Sequence, residues 1–375
     1  MQASNTNSIE MKKINRNRIF RLIYTEGQLS KQNIVQKLNV SLPTVNQNLK
    51  ALSELGLIKD QGSLASTGGR KARAISCNPE ARFSIGVDVT KNHVVLVATD
   101  LCAAIVKSRT VRLPFENKTE YFRTVGQLIE QFAADPQIDK SRILGVGISV
   151  PGLISEDRQK VSYASILGFS GGSLSSFSEH IAYPCIFSND ASAAAMAELW
   201  NCNASENVVY LSLSNSVGGA ISLGKTVYPG DNRRSAEFGH MTIIPKGKRC
   251  YCGQVGCVDA YCNASILSDT TNGSLADFFE KVDTGSVPHL EVWKKYLHYL
   301  TLTVNNLRMI FDCRVILGGY VGSYMGRHID ALRKQVSQRN SFEKDGSYLE
   351  VCRYKRESSA VGAALQYIEP FINNI

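Results

Sequence analysis

The sequence predicts two domains: a winged helix-turn-helix over residues 12–77 and, from residue 83 onward, a two-lobed α/β domain. Three observations carry this prediction. Positive charge is concentrated in the first fifth of the chain, helical apolar spacing occurs three times there, and hairpin-led α/β patterns occur twice in the remainder. A chain of 375 residues with 43% hydrophobic and 20% charged residues is long enough to bury a core in each domain.

Net charge separates the two domains. Residues 1–80 hold 12 Lys and Arg against 5 Asp and Glu, a net charge of +7, whereas the rest of the chain carries only +2. A basic N-terminal module is typical of a protein that faces a polyanion, although a charge excess alone is more often a solvated face. No apolar run reaches membrane-spanning length, and no signal peptide precedes the chain, which predicts a reducing, cytoplasmic compartment.

The N-terminal pattern indicates three helices after a polar segment, residues 1–11, that we expect to be disordered. The first helix ends at Gly27, the second is capped by Ser30, and the third is capped by Ser41 with Pro43 in its first turn. Apolar residues recur at helical spacing in the first and third helices. These positions are Ile14, Ile19, Leu22 and Ile23 in the first helix, and Leu42, Val45, Leu49 and Leu52 in the third.

The short connection between the second and third helices is that of a helix-turn-helix, and a hairpin with a basic tip follows it as a wing. Small polar and amide side chains on the third helix are suited to base edges in the major groove. Basic residues beside glycines in the wing suit phosphate or minor-groove contact. The predicted DNA-binding residues are Thr44, Asn46, Gln47, Lys50, Arg70, Lys71 and Arg73. The alternative is a three-helix protein-interaction module with a basic surface.

Residues 78–82 are predicted to form a hinge into the second domain, residues 83–375. Two strand hairpins, each followed by further α/β elements, indicate a duplicated α/β fold. We expect one lobe at about residues 83–190 plus the C-terminal helix, and the other at about residues 191–350. Ligands in such folds bind at the strand ends, in the cleft between the lobes.

One histidine and three cysteines lie within eighteen residues, with glycines between the last two cysteines. Four nitrogen and sulfur ligands suit a closed tetrahedral zinc site that contributes to folding. The sequence therefore predicts one structural zinc ion per chain, bound by His240, Cys250, Cys252 and Cys257. The alternatives are unlinked core cysteines and, less favoured in a reducing compartment, a disulfide.

The second domain contains five short motifs: Gly147–Gly152 (GISVPG), Asn189–Ala191 (NDA), Glu237–Met241 (EFGHM), Cys250–Cys257 (CYCGQVGC) and Leu317–Gly319 (LGG). These motifs resemble those of the ROK family, which groups repressors, uncharacterised reading frames and sugar kinases. The resemblance covers essentially the whole chain, and an N-terminal winged helix is typical of the repressor branch. It implies an actin/hexokinase-like fold, with two ribonuclease-H-like lobes around a sugar cleft.

The resemblance implies sugar contacts from Asn189, Asp190, Glu237 and His240, with Asp259 nearby. In the kinases the aspartate that matches Asp190 is also the general base. Taken alone, Asn189-Asp190 would be read as a helix N-cap. Asp259 stands where many members have glutamate, and Ile166 where many have asparagine, so the expected ligand is a less common sugar, a sugar derivative or none.

Both phosphate-binding loops of the kinases are altered in this chain. Thr90-Lys91-Asn92 and Ser214-Asn215-Ser216 replace glycine-rich sequences that let backbone N–H groups approach phosphate. We therefore expect no ATP cofactor and no enzymatic activity. The favoured function is a sugar-responsive transcriptional repressor that binds a pseudo-palindromic operator as a homodimer or higher homo-oligomer. The alternatives are a DNA-bound regulator controlled by a protein partner and, less favoured, a sugar kinase.

Overall fold

The computed structural model describes residues 2–63, 73–164, 167–168, 172–200, 206–224 and 226–375. The N-terminal domain has three helices and a three-stranded antiparallel sheet. The helices are α1 (Gln2–Glu26), α2 (Lys31–Leu38) and α3 (Leu42–Glu54), and the strands are β1 (Gln28–Leu29), β2 (Ile58–Ser63) and β3 (Arg73–Cys77). The sheet has the strand order β1-β3-β2, and the β2–β3 hairpin follows α3 in the chain. This arrangement confirms the winged helix-turn-helix.

Local capping chemistry sets the ends of these helices as predicted. The Ser30 hydroxyl accepts a hydrogen bond from the Asn33 N–H at 3.1 Å, and the Asn33 side chain accepts one from the Ser30 N–H. The Ser41 hydroxyl likewise accepts from the Thr44 N–H at 3.3 Å. Gly27 ends α1 at φ +81°, a left-handed conformation that glycine adopts without steric cost.

Two predictions for this domain are corrected. Helix α1 begins at Gln2, so residues 2–11 are helical and not disordered, in a segment that contains no Gly or Pro to stop a helix. The spacing of Leu42, Val45, Leu49 and Leu52 predicts that α3 buries all four, but Leu42 is 47% exposed because it lies in the first turn of α3, beyond the packed core. The predicted wing residues Arg70 and Lys71 lie outside the described residues.

The second domain is built on two five-stranded sheets. Its strands are β4 (Phe83–Val89), β5 (His93–Asp100), β6 (Ile105–Arg112), β7 (Ile143–Val150), β8 (Leu153–Ile154), β9 (Lys160–Tyr163), β10 (Gly172–Ser173), β11 (Cys185–Asn189), β12 (Val208–Leu213), β13 (Val217–Leu223), β14 (Thr226–Val227), β15 (Arg314–Gly318) and β16 (Leu349–Val351). Its helices are α4 (Thr119–Ala133), α5 (Ser175–Ser178), α6 (Asp190–Leu199), α7 (Asp259–Cys262), α8 (Ser265–Ser268), α9 (Leu275–Asp283), α10 (Val287–Phe311), α11 (Gly319–Gly322), α12 (Ile329–Ser337) and α13 (Ser358–Asn373). No helix in the described part of the chain is both long and apolar enough to cross a membrane.

The two sheets share one topology. The first has the order β11-β7-β4-β5-β6 and the second β14-β13-β12-β15-β16. In each, the first strand in the chain pairs antiparallel with the second and parallel with the fourth. This repetition confirms the duplicated two-lobed fold, and it places the carboxyl ends of β11 and β12 beside the cleft. Strand β6 and the small β8–β10 sheet were not predicted from the sequence, because these strands are short or half-exposed.

Helix α13 joins the lobes through very close packing. A Cβ atom at Gly86 of β4 would lie 1.7 Å from the Ala360 carbonyl oxygen, and one at Gly362 would lie 1.6 Å from the Ala193 carbonyl oxygen. Glycine at both positions therefore lets α13 rest directly on β4 and on α6. Consequently α6, which begins at the cleft, is held against the C-terminal helix.

The hinge between the domains is hydrogen-bonded at several points. Residues Pro79–Ala81 form a 3₁₀ turn, and the Pro79 carbonyl accepts a bond from the Leu101 N–H at 3.0 Å. The Arg142 guanidinium donates to the Glu80 carbonyl at 2.9 Å. The hinge is thus tied to the second domain by hydrogen bonds.

Candidate ligand cleft and metal centre

The predicted metal ligands come together at one point. The ligand atoms of His240, Cys250, Cys252 and Cys257 all lie within 4.8 Å of one another. Two of the separations are 3.9 Å: Cys250 Sγ to His240 Nδ1, and Cys252 Sγ to Cys257 Sγ. Bonds of about 2.3 Å to one tetrahedral ion would set such ligands roughly 3.8 Å apart. These four residues could therefore hold one metal ion with no open coordination position.

Glycine is required in the loop that carries the last two cysteines. Gly253 and Gly256 adopt φ values of +92° and +79°. A Cβ atom at Gly256 would also lie 1.9 Å from the Ile244 carbonyl oxygen. The tight loop turns Cys252 and Cys257 toward each other, as the spacing predicted.

His240 contributes to the metal cluster and to the cleft at the same time. Its Nδ1 atom faces the Cys250 sulfur, and its Nε2 atom lies 3.3 Å from the Tyr251 hydroxyl. The side chains of His240 and Tyr251 line a cavity of about 800 Å³ between the lobes. Sequence reasoning missed Tyr251, although its position between two predicted metal ligands could have indicated it.

Four of the five predicted sugar contacts line this cavity. They are Asn189, Asp190, Glu237 and His240. They come from the end of β11, the start of α6, and the 3₁₀ helix Phe238–His240 with the residue before it. The fold therefore brings together side chains that are 51 positions apart in the chain, between Asn189 and His240.

Asn189 is also a helix cap. Its side-chain oxygen accepts a hydrogen bond from the Ser192 N–H at 2.9 Å, which caps α6. Its amide nitrogen donates to the Gly152 carbonyl at 3.0 Å and to Asp190 Oδ1 at 3.2 Å. Both donors are thus engaged, and one acceptor lone pair remains for a ligand. Asn189 chiefly fixes the orientation of Asp190.

Asp190 is the group in the cleft best placed to bind a hydroxyl. The pKa of Asp190 is raised to about 6: burial is the main cause and the neighbouring Glu237 carboxylate adds to it, while the backbone N–H groups at the start of α6 act in the opposite direction. At neutral pH the carboxylate is ionised and accepts hydrogen bonds from hydroxyl groups. This arrangement can recognise a polyhydroxy ligand.

The fifth predicted contact, Asp259, is placed differently. It is 2% exposed, and it is not among the described residues that line the cavity. Its Oδ1 atom accepts a bond from the Val217 N–H at 2.6 Å, and Asn263 donates to Oδ2 at 3.5 Å. With one methylene fewer than glutamate, the carboxylate is held by the backbone at the start of β13. Asp259 therefore supports the wall of the cavity at Val217.

A second, smaller cavity of about 50 Å³ lies on the other side of Asp190, where the altered loops meet. Tyr320 occupies this region: its hydroxyl bonds Thr90, and its N–H donates to the Ser214 hydroxyl at 3.3 Å. Asp88 accepts a bond from the Ser149 hydroxyl at 2.9 Å. Burial, together with the charge of Asp190, raises the pKa of Asp88 to about 7. Tyr320 was not identified from the sequence.

The predicted base-reading residues are distributed along one side of α3. Asn46, Gln47 and Lys50 are exposed. The Asn46 side chain accepts a bond from Lys31 Nζ at 2.8 Å, and the Thr44 hydroxyl is 2.8 Å from the Ser41 hydroxyl. The α3 surface therefore presents amide and cationic groups that can face a DNA groove.

Of the wing residues predicted to bind DNA, Arg73 is the one that lies within the described residues. It is exposed and lies 3.7 Å from Asp60 across the β2–β3 pair. An exposed ion pair of this kind contributes little to stability, so Arg73 can exchange Asp60 for a phosphate group.

Family comparison identifies both domains. The ROK family model matches residues 84–369, and a model described as winged helix-turn-helix DNA-binding matches residues 13–59. The chain belongs to the ROK family. Its lobes are the two ROK lobes, and its cysteine cluster lies in the ROK domain.

Among ROK relatives, the xylose repressor of Bacillus subtilis (strain 168) is 25% identical over 376 residues, which cover 97% of each chain. A crystal structure of a ROK family transcriptional regulator, described as a homologue of the E. coli MLC protein, matches with a TM-score of 0.75. It is 18% identical and covers 97% of both chains. A ROK family glucokinase from Streptomyces griseus, solved with glucose and AMPPNP, matches at TM-score 0.63 and 21% identity, over 76% of this chain and 98% of its own.

Proposed function

We propose that this protein is a sugar-responsive, DNA-binding transcriptional repressor of carbohydrate-utilisation genes. The observation that carries the proposal is the joining, in one packed chain, of a winged helix-turn-helix to a cleft of about 800 Å³ lined by Asp190, Glu237 and His240. The relative named xylose repressor, which matches over 97% of both chains, supports the same function.

In this proposal α3 enters the major groove of duplex DNA. Asn46 and Gln47, with Thr44 at the start of the helix, read base edges, because amide side chains pair with adenine in that groove. Lys50 and Arg73 contact phosphates, and we expect the same of Arg70 and Lys71, which lie outside the described residues. A homodimer or higher homo-oligomer would present two such helices and therefore select a pseudo-palindromic operator.

The metal centre is proposed to hold one structural zinc ion per chain. Three thiolates and one imidazole are the donor set of closed zinc sites, and the 3.9 Å separations suit a tetrahedral ion. The ion would fix the loop that carries Tyr251 and would set the orientation of the His240 ring in the cleft. It has no proposed part in a chemical step.

The sugar is proposed to bind Asp190, Glu237 and His240, with Asn189 contributing its free lone pair. Phosphoryl transfer is left out of the proposal because the second cavity, where the two altered loops meet, measures only about 50 Å³. Asp190 is then a binding group and not a general base.

A salt titration of operator binding tests the DNA part of the proposal. Operator fragments selected by the protein would be titrated with wild type, with a variant combining Lys50→Ala and Arg73→Ala, and with Lys344→Ala as a control on the second lobe. Each lost phosphate contact should flatten the slope of log K against log salt by about one unit. An unchanged slope in the double variant would contradict contact by α3 and the wing.

A further inference from the structure

The large cavity extends well beyond the proposed sugar contacts. Its wall continues from Asp190 to the N-terminal domain, where it is formed by Arg21, Tyr24 and Thr25 of α1. One cavity thus connects the cleft between the lobes with the first helix of the winged helix-turn-helix.

Helix α6 sets the length of this cavity. Ser192, Met196 and Trp200 all line it, and residues four positions apart lie on one face of a helix. Asp190 and Trp200 stand at opposite ends of α6, ten residues apart, which is about 15 Å at 1.5 Å per residue. A sugar ring built from bonds of about 1.5 Å spans roughly 5 Å. The wall is therefore long enough for more than one ring.

The far end of the cavity is aromatic. The Trp200 indole N–H donates a hydrogen bond to the Tyr24 hydroxyl at 2.9 Å, and the two rings meet edge to face with centroids 6.5 Å apart. Rings of this kind offer apolar faces to the C–H groups of a sugar and keep a polar edge for its hydroxyls. The far end is thus suited to a second sugar unit.

The charges on the cavity wall balance. Among the described residues, three cationic and three acidic side chains line it. They are Arg21, Arg158 and Arg233, and Asp190, Glu237 and Glu369. This balance favours a neutral ligand over a phosphorylated one, since a phosphate would add about two negative charges without a matching excess of cations.

We propose that the effector is a neutral sugar of at least two units, which extends along α6 from Asp190 to Tyr24 and Trp200. This inference rests on the proposed function, since it concerns the same cleft. At about 800 Å³ the cavity lies toward the upper end of the roughly 300–1,000 Å³ range of small-molecule sites. Such a ligand touches both domains, so its affinity depends directly on how the winged helix-turn-helix is positioned.

Calorimetry on the full-length protein tests the inference with matched sugars. The panel is xylose and xylobiose, glucose and cellobiose, N-acetylglucosamine and its β-1,4-linked dimer, and the 6-phosphates of the two hexoses. In one pair the disaccharide should bind at least about tenfold more tightly than its monosaccharide, a difference of about 1.4 kcal/mol. The phosphates should bind no more tightly than the neutral sugars.

Substitutions at two exposed positions of α1 test where the second sugar unit binds. Thr25→Trp, which fills the far end, should reduce the ratio of disaccharide to monosaccharide affinity to about one, and Arg21→Ala should reduce it partly. Arg18→Ala, on the same helix but outside the cavity wall, is the matched control and should keep the ratio. A thermal melt of each variant confirms that it folds.

Equal affinities within every pair would overturn this inference and leave the proposed function standing. The same conclusion would follow if a folded Thr25→Trp variant kept the wild-type ratio of disaccharide to monosaccharide affinity. Tighter binding of a phosphorylated sugar would also overturn it. Failure of every sugar to bind would instead overturn the proposed function together with the inference.

Discussion

The two cavities that meet at Asp190 differ greatly in size. The large one measures about 800 Å³ and the small one about 50 Å³, and both are lined by Asp190 and Pro151. Gly218 and Gly219 leave room in the large cavity, whereas Tyr320 and Ser214 fill the region of the small one. The large cavity has room for a polyhydroxy ligand, whereas the small one, where the two altered loops meet, has little room for any ligand.

The largest expected effect on stability and sugar affinity comes from the predicted metal ligands, which support one wall of the large cavity. Cys257→Ser should remove the metal ion, because a serine hydroxyl does not replace a thiolate, and should lower the free energy of unfolding by roughly 3 kcal/mol or more. Sugar affinity should fall with it, because His240 loses its fixed orientation. Elemental analysis and thermal denaturation measure both effects.

The matched control for this change is Cys313→Ser, a half-buried thiol outside the cluster. It should keep the metal ion and the sugar affinity. Zinc content near zero in wild-type protein from zinc-replete growth would contradict the structural zinc site.

A pair of carboxylate substitutions separates the two cavities directly. Asp190→Asn should weaken sugar binding about 100-fold, because two charge-assisted hydrogen bonds of about 1.5 kcal/mol each are lost. Asp88→Asn, the corresponding change in the small cavity, should leave sugar affinity within about twofold. Calorimetric titration of both variants decides the comparison. Similar losses in both would mean that the cavities act as one site.

The sequence predicted the parts of this architecture that depend on local chemistry. Ser30 and Ser41 cap their helices as their residue types require, and the spacing of Cys250, Cys252 and Cys257 with two glycines brought the sulfurs together. The helix caps and the cysteine cluster depend on interactions between residues that are close in the chain, and the spacing of residue types indicates such interactions.

Features that depend on distant parts of the chain could not be predicted in the same way. Tyr320 closes the small cavity from a helix more than 200 residues from Thr90, and Tyr24 meets Trp200 across 176 positions. Asp259 stands where many family members have glutamate, but the backbone N–H of Val217 determines where its carboxylate points. No period or spacing in the sequence records such contacts.

Lowering the pH should affect the large cavity through Asp190. Because its pKa is raised to about 6, the carboxylate becomes protonated as the pH falls below 6 and then accepts fewer hydrogen bonds from the sugar. Affinity should be constant above about pH 7 and fall up to about tenfold per pH unit below 6. Titrations from pH 5 to 8 measure this. Affinity that rises as the pH falls would contradict the role of Asp190.

The smallest expected effect concerns the small cavity. Because burial raises the pKa of Asp88 to about 7, its protonated form stabilises the folded state at low pH, and this contribution is lost as the pH rises through 7. Asp88→Asn should therefore raise the free energy of unfolding at pH 8 by roughly 1 kcal/mol, after an unpaired amide N–H offsets part of the gain. At pH 4 it should give no gain. Denaturant unfolding at both pH values measures the difference, and destabilisation at pH 8 would contradict it.

The central claim, that ligand in the large cavity controls DNA binding, is tested most directly by one linked titration. The sugar that binds most tightly is titrated calorimetrically into the full-length protein, alone and saturated with its operator. For a repressor released by its ligand, operator DNA should weaken sugar binding by the same factor by which the sugar weakens operator binding. Equal sugar affinity with and without operator would contradict the claim.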